Sequence, residues 1–150
     1  MSAKIDYAVR ALLELAAIGP DEVLSRQDLA AAQAIPSRYL EAILGRLRQP
    51  GLVVATRGSA GGYRLARPAS EITVAEVSRA VDGPLTLVQG RRPGEIDYVG
   101  NARHLGDLWV GMRAAVRSVM EAVSIADLRE GNLPRGVQTM VDDPDAWLPR

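Results

Sequence analysis

Six arginines and one acid, Glu41, lie between Arg38 and Arg67, a local charge of +5 in a chain whose 18 basic and 18 acidic residues cancel. Arg38, Arg46 and Arg48 fall in a segment of helical period. Arg57 and Arg64 flank Gly58-Ser59-Ala60-Gly61-Gly62, a run with the composition of a flexible turn. Charge is also uneven along the whole chain, with residues 1–67 summing to +3 and residues 68–150 to −3. Such a split points to a polyanionic partner. The alternative is a merely solvated basic face, and the elements that carry these residues must decide between the two.

Other reactive residue types are sparse. The 150 residues include no cysteine, which excludes disulfides, Cys nucleophiles, Cys-bound zinc and thiolate-ligated iron–sulphur clusters. His104 is the sole histidine, so a zinc site would need carboxylates for every other ligand, and no metal site is expected. No His-containing triad has a plausible partner, and the Gly58–Gly62 run lacks the Lys-Ser/Thr of a nucleotide loop, so the chain is not read as an enzyme. Asp97, Tyr98, Arg103 and His104, leading into Trp109, could line a small-molecule pocket; Tyr98 and Trp109 also read as plain core residues. No apolar run approaches the roughly 18–20 residues of a membrane span. Asp6, Arg10 and Glu14 interrupt what a signal peptide would need, and a cytoplasmic protein without a membrane partner is expected.

The positioning elements follow from hydrophobic period and capping signals. Ile5, Val9, Leu12, Leu13 and Ala16 mark a first helix stopped by Gly19-Pro20. Ser25 to Asp28 reads as a capping box opening a short second helix to about Ala34, broken by Ile35-Pro36. Ser37 is the expected N-cap of a third helix with Leu40, Ile43, Leu44 and Leu47 on one face and Arg38, Ala42 and Gly45 opposite, ended by Pro50-Gly51. Strand-like runs 52–57 and 63–66 form a hairpin. Thr73 to Glu76 opens a helix to about Val81. Residues 83–103 form a loop long enough to suggest a function. Leu105, Trp109, Met112, Val116, Val119 and Val123 then make a stripe suited to packing on another helix. Ser124 to Asp127 caps a last short helix, before a proline- and aspartate-rich tail that is loose or docks through Trp147.

Three helices, the third basic on one face, followed at once by a Gly-tipped basic hairpin, make the plan of a winged helix-turn-helix. The third helix can lie in the DNA major groove and the hairpin can reach the adjacent minor groove, whose negative potential attracts Arg. Gly45 is costly in mid-helix. It is intelligible either where the backbone approaches another surface closely or where it packs on a neighbouring helix.

The strings Ser37-Arg38-Tyr39-Leu40-Glu41, Leu47-Arg48-Gln49-Pro50-Gly51-Leu52-Val53 and Arg57-Gly58-Ser59-Ala60-Gly61-Gly62-Tyr63-Arg64-Leu65-Ala66 resemble the signature of the Rrf2 family of bacterial regulators, the IscR/NsrR/CymR type. Asp6 to Leu12, Ile72 to Val74, Ala80-Val81, Leu108-Trp109 and Ser124 to Leu128 extend the likeness over about residues 3–130. The resemblance implies a homodimeric transcription factor, mainly α with a small β-hairpin wing, whose long C-terminal helix crosses its partner. It places Ser37, Arg38, Tyr39 and Glu41 at the major groove and its phosphates, with Arg46 and Arg64 among the basic groups alongside. A carboxylate there is repelled by phosphates unless it accepts from a cytosine amino group, so Glu41 should carry specificity. Arg57 falls where the family's wing enters the minor groove, with Gly58, Gly61 and Gly62 allowing close backbone approach. Tyr39 equally suits packing at the helix base, and Tyr63 suits the core of the wing. Many relatives bind an iron–sulphur cluster through three loop cysteines, which this sequence lacks. Asp6 lies where some relatives supply an extra ligand, and alone it reads as a helix acid.

The expected organisation is a DNA-binding unit over residues 1–82, a sensor-type loop over 83–104, a dimerisation helix and short helix over 105–130, and a tail over 131–150. The expected function is a homodimeric regulator, in the sense of a repressor, that binds double-stranded DNA at an inverted repeat. No cofactor is expected, and the signal is something other than a cluster. Two alternatives are a module docking on a metabolic enzyme or another regulator, and a ligand sensor without DNA affinity of its own.

Overall fold

The computed structural model describes residues 1–58 and 60–149. Ser59 at the hairpin tip and Arg150 at the end of the tail lie outside the described residues. Helix α1 (Ala3–Ala17) is the axis of the core: Ile5, Ala8, Ala11, Leu12 and Leu15 are buried, and it packs on the helices and the strand described next. Helices α2 (Arg26–Gln33) and α3 (Ser37–Arg48) cross beside it, and Leu29, Leu40, Leu44 and Leu47 fill the space between. Ser25 accepts the Asp28 N–H at 3.1 Å, but the Asp28 carboxylate returns to the Ser25 hydroxyl rather than to its backbone, so this capping box is half made.

The start of α3 differs from the sequence expectation. Pro36 is the N-cap, without a side-chain bond, and its carbonyl accepts from Tyr39 and Leu40 at 2.9 and 3.2 Å. Ser37 is thereby the first helical residue, because the fixed φ of proline already suits the cap and leaves the Ser37 hydroxyl unused.

Strands β1 (Val53–Thr56) and β2 (Gly62–Leu65) pair antiparallel, Val53 with Leu65 through Thr56 with Gly62. Leu24 adds a separate antiparallel bridge to β2, exchanging backbone bonds with Tyr63 at 3.0 and 2.8 Å. The hairpin is thus fastened to the segment before α2, and Tyr63 packs against the core, as the sequence suggests for it.

Helix α4 (Val74–Asp82) begins at a complete Thr73–Glu76 capping box and buries Val77 and Val81. Burial raises the Glu76 pKa, but the Thr73 backbone N–H and the Arg67 guanidinium at 2.6 Å outweigh it and hold the carboxyl below its ordinary range. Residues 83–104 carry reciprocal Val88–Arg91 backbone bonds at 3.0 Å and two 3₁₀ turns, Pro93–Glu95 and Gly100–Ala102. Helix α5 (Leu105–Ala122) projects from the core, burying only Met120. Its end is tied back where Val74 and Ile125 N–H donate to Val123 and Ile72 carbonyls, both at 2.9 Å, so that α6 (Ile125–Glu130) seats Ile125 against α1. The tail forms α7 (Arg135–Val141) and a turn in which Trp147, 73% exposed, donates to the Val141 carbonyl. Trp147 therefore docks on its own short helix instead of on the core.

Candidate nucleic-acid interface

Burial of Leu40, Ile43, Leu44 and Leu47 turns the opposite side of α3 outward, and Ser37, Arg38, Glu41, Ala42, Gly45 and Arg48 are all exposed. A Cβ built on Gly45 would meet nothing within 4 Å. Packing on a neighbouring helix is thereby removed as a reason for this glycine, and an external surface remains.

Along this face, Arg38 lies over the Tyr39 ring at 4.8 Å, and Tyr39 in turn meets Tyr7 of α1 with centroids 6.2 Å apart. Tyr39 is half open to solvent, so it props Arg38 while packing the helix base. Glu41 is paired with Arg26 of α2 at 2.8 Å, both in solvent. Arg26 brings a further guanidinium to the face beside Arg38 and Arg48, and the sequence reading missed it; the i, i+15 separation between two helices carries no periodic signal. Arg46 points elsewhere: it donates to the Val81 carbonyl at the end of α4. The sequence groups Arg46 with the DNA-facing residues, whereas in this structure its guanidinium lies at a backbone carbonyl of the last α4 turn, the negative end of that helix.

At the hairpin, Arg57 is exposed and makes no hydrogen bond or ion pair among the described residues. Gly58 follows at φ +112°, a conformation that L side chains avoid. Gly61 and Gly62 have internal reasons to be glycine. A Cβ on Gly61 would sit 2.2 Å from the Thr56 carbonyl oxygen, and one on Gly62 2.6 Å from that of Leu24. Close approach therefore does occur at both, but within the chain. Arg64 is half-buried, bonded to the Leu65 carbonyl at 3.3 Å, and borders a cleft with Gly19, Pro20 and Arg129 away from the hairpin tip.

Of the residues expected to line a pocket, Arg103 and His104 bond one another at 3.0 Å, and His104 lies 3.7 Å from Asp107, all in solvent. Asp97 is exposed, and Tyr98 packs beside Gly106 at the start of α5. Trp109 is half-buried, with its Nε1 shut off from water and unbonded among the described residues. The apolar stripe on α5 is divided. Met112 and Val116 are exposed at 47% and 38%, Leu105 and Val119 are half-buried, and Val123 lies beyond the helix and inside the core. Leu108, 54% exposed beside Met112, belongs to the open face and was missed. A heptad stripe assumes a helix that continues, but α5 ends at Ala122 and Val123 is extended backbone tied to Val74, which seats its side chain in the core.

Asp6, in the position that carries an extra ligand in some relatives, is paired with Arg10 at 3.2 Å. Among the described residues no three His, Asp or Glu side chains gather as a metal site would require, and none is long and apolar enough as a helix to cross a membrane.

A family model described as Rrf2, iron-dependent transcriptional regulator, matches residues 1–131. A Mycobacterium tuberculosis (strain H37Rv) chain named as an HTH-type transcriptional regulator is 46% identical over 143 residues, 95% of this chain and 89% of that one. The HTH-type regulator IscR of Photobacterium profundum is 32% identical over 133 residues, 88% of this chain and 76% of the other. Among solved structures, CymR, the global cysteine regulator of B. subtilis, matches with a TM-score of 0.73 at 28% identity, covering 87% of this chain and 96% of that one. Iron held through thiolates does not fit the residues present: the sequence has no cysteine, and the loop offers only hard carboxylates and a single imidazole already engaged by Arg103.

Proposed function

The chain belongs to the Rrf2 family of DNA-binding transcriptional regulators, and from that membership we propose a homodimeric cytoplasmic repressor that reads an inverted-repeat operator and answers to a signal other than a thiolate-ligated cluster. One observation supports the DNA-reading assignment above all: the outward face of α3 is free of internal packing at Gly45, and the hairpin that follows α3 carries an exposed arginine, Arg57, with no hydrogen bond or ion pair among the described residues. Arg38 and Arg48 meet phosphates or base edges, with Ser37 and Tyr39 at the margin of the groove. Glu41 accepts from a cytosine amino group, held in place by Arg26, whose own charge lowers the repulsion between that carboxylate and the phosphates. Arg57 enters the minor groove, with Gly58 supplying the turn.

Residues 1–82 read DNA in this scheme and residues 105–130 dimerise. Leu108, Met112 and Val116 present a continuous apolar face on a helix that projects from the core, and such a face on a soluble chain fits a second copy. Two-fold symmetry of the dimer is then mirrored in the operator.

Selection of bound genomic fragments followed by salt titration tests the proposal. The enriched fragments should share an inverted repeat, and affinity should fall with a log–log slope of about −0.9 for each phosphate neutralised. Retention of a stoichiometric metabolic enzyme with no DNA enriched would refute it in favour of a docking module. Sedimentation should give twice the 16.1 kDa chain mass, and Met112→Glu should give the monomer.

A further inference from the structure

Helix α4, the turn after it, the loop at Arg92 and α5 enclose an open cleft of about 550 Å³, within the size range of small-molecule sites. Four guanidiniums line it: Arg79 from α4, Arg92 from the loop, and Arg113 and Arg117 from α5. Glu121 is the one carboxylate in the lining. Its Oε1 is shared, accepting from Arg117 Nε at 2.9 Å and from Arg79 at 3.3 Å. The Arg117 hydrogen bond, seconded by Arg79, holds the Glu121 carboxyl below its ordinary range. Among the described residues the Arg92 guanidinium has only Glu95, at 4.0 Å. Arg113 has nothing: its Nε is closed off from water, and among the described residues it makes no hydrogen bond or ion pair. Trp109 Nε1, one turn earlier on the same flank of α5, is in the same condition.

Desolvated donors without acceptors oppose folding, and each calls for an explanation such as a bound water or ion. Four guanidiniums share two carboxylates, Glu121 from the lining and Glu95 at 4.0 Å from Arg92, so positive charge remains in surplus in a half of the chain that is otherwise acidic, and that calls for more than water. We propose that this cleft binds a small ligand carrying at least two oxyanion groups, phosphates or carboxylates, which the planar forks of Arg113, Arg92 and Arg79 grip bidentately. The site shares no residue with α3 or the hairpin, nor with the Asp97–Trp109 set that the sequence suggests as a pocket. Its walls are the helix that receives Arg46 from α3 and the helix that carries the open apolar face. An occupant therefore bridges the DNA-reading unit and the projecting helix.

Titration calorimetry on the full chain at constant ionic strength, with inorganic pyrophosphate and with citrate in separate arms, tests the proposal. Saturable binding of one anion per chain is expected, weakened at least tenfold by Arg113→Met and by Arg92→Gln and unchanged by Arg57→Gln. A response to pyrophosphate alone assigns the ligand to the phosphate class, and one to citrate alone to the carboxylate class. Arg92 is exposed in the loop, so its variant tests the site without touching the fold. Three results would overturn the proposal: no saturable binding of either anion, binding abolished by Arg57→Gln but kept by Arg113→Met, or a dimer that dissociates on Arg113→Met without any anion binding in the parent chain. Failure of the DNA-reading assignment shows separately, as the absence of an enriched operator.

Discussion

Gly45→Ala separates the fold of α3 from its use. Gly45 lies in the middle of a helix with exposed neighbours at Glu41, Ala42, Arg46 and Arg48, and its added methyl would meet no atom within 4 Å. Nothing in the chain opposes the substitution, so the full propensity difference between glycine and alanine, about 0.8–1.0 kcal/mol in a helix interior, should appear as added stability. For a chain of this length that corresponds to a rise in Tm of roughly 2–4 °C. On DNA the sign reverses. Where a helix backbone lies against the groove, a methyl group forced into a packed interface costs about 1–3 kcal/mol, which is about 5-fold to 150-fold in Kd at 1.4 kcal/mol per decade. Thermal unfolding and fluorescence anisotropy on the selected operator, at one salt concentration, measure both effects on the same preparation. A variant that is more stable and binds as tightly as its parent would refute the placement of α3 against DNA. A less stable one would refute the reading of Gly45 as internally unconstrained.

Gly62→Ala should do the opposite of Gly45→Ala, lowering stability by about 1–3 kcal/mol in urea unfolding, because its methyl would lie 2.6 Å from the Leu24 carbonyl oxygen. Glu41→Ala should relax the preference for one base pair while changing stability little, since its pair with Arg26 is exposed and worth about 0–1 kcal/mol. Arg57→Ala should weaken binding to every sequence and reduce the salt slope by about 1; identical binding profiles for these two variants would contradict their separate roles. The lowered Glu76 carboxyl stabilises the fold above its ordinary value of 4.5, and that contribution disappears as pH falls through the lower folded value. Glu76→Gln should accordingly flatten the acid side of the stability profile, and an unchanged profile would show that the Thr73 and Arg67 contacts do not act on it.

Local signals carried most of the element boundaries. Capping at Thr73 and Ser124 was readable because a hydroxyl and an acid three residues apart satisfy each other's backbone without help from the rest of the chain. Ser37 failed as a cap because the competing residue, Pro36, has its φ fixed covalently. The helix within the tail, Arg135–Val141, went unread because it has no buried residue and hence no apolar period.

By itself the sequence determined the three-helix and hairpin plan, the concentration of arginine between Arg38 and Arg67, and the loss of any thiolate ligand, since each depends on residue type or on spacing within one element. Only the tertiary structure decided which of those arginines remain available. Arg46 is taken by the Val81 carbonyl, Arg26 is brought from another helix to Glu41, and Arg57 is left without a partner among the described residues. Tertiary packing likewise divided the glycines, making Gly61 and Gly62 internal necessities and leaving Gly45 open. It also gathered Arg79, Arg92, Arg113 and Arg117 from three separate stretches into one cleft. Charge and backbone space act through distance, and distances between elements are set by how the core packs, which no spacing along the chain records.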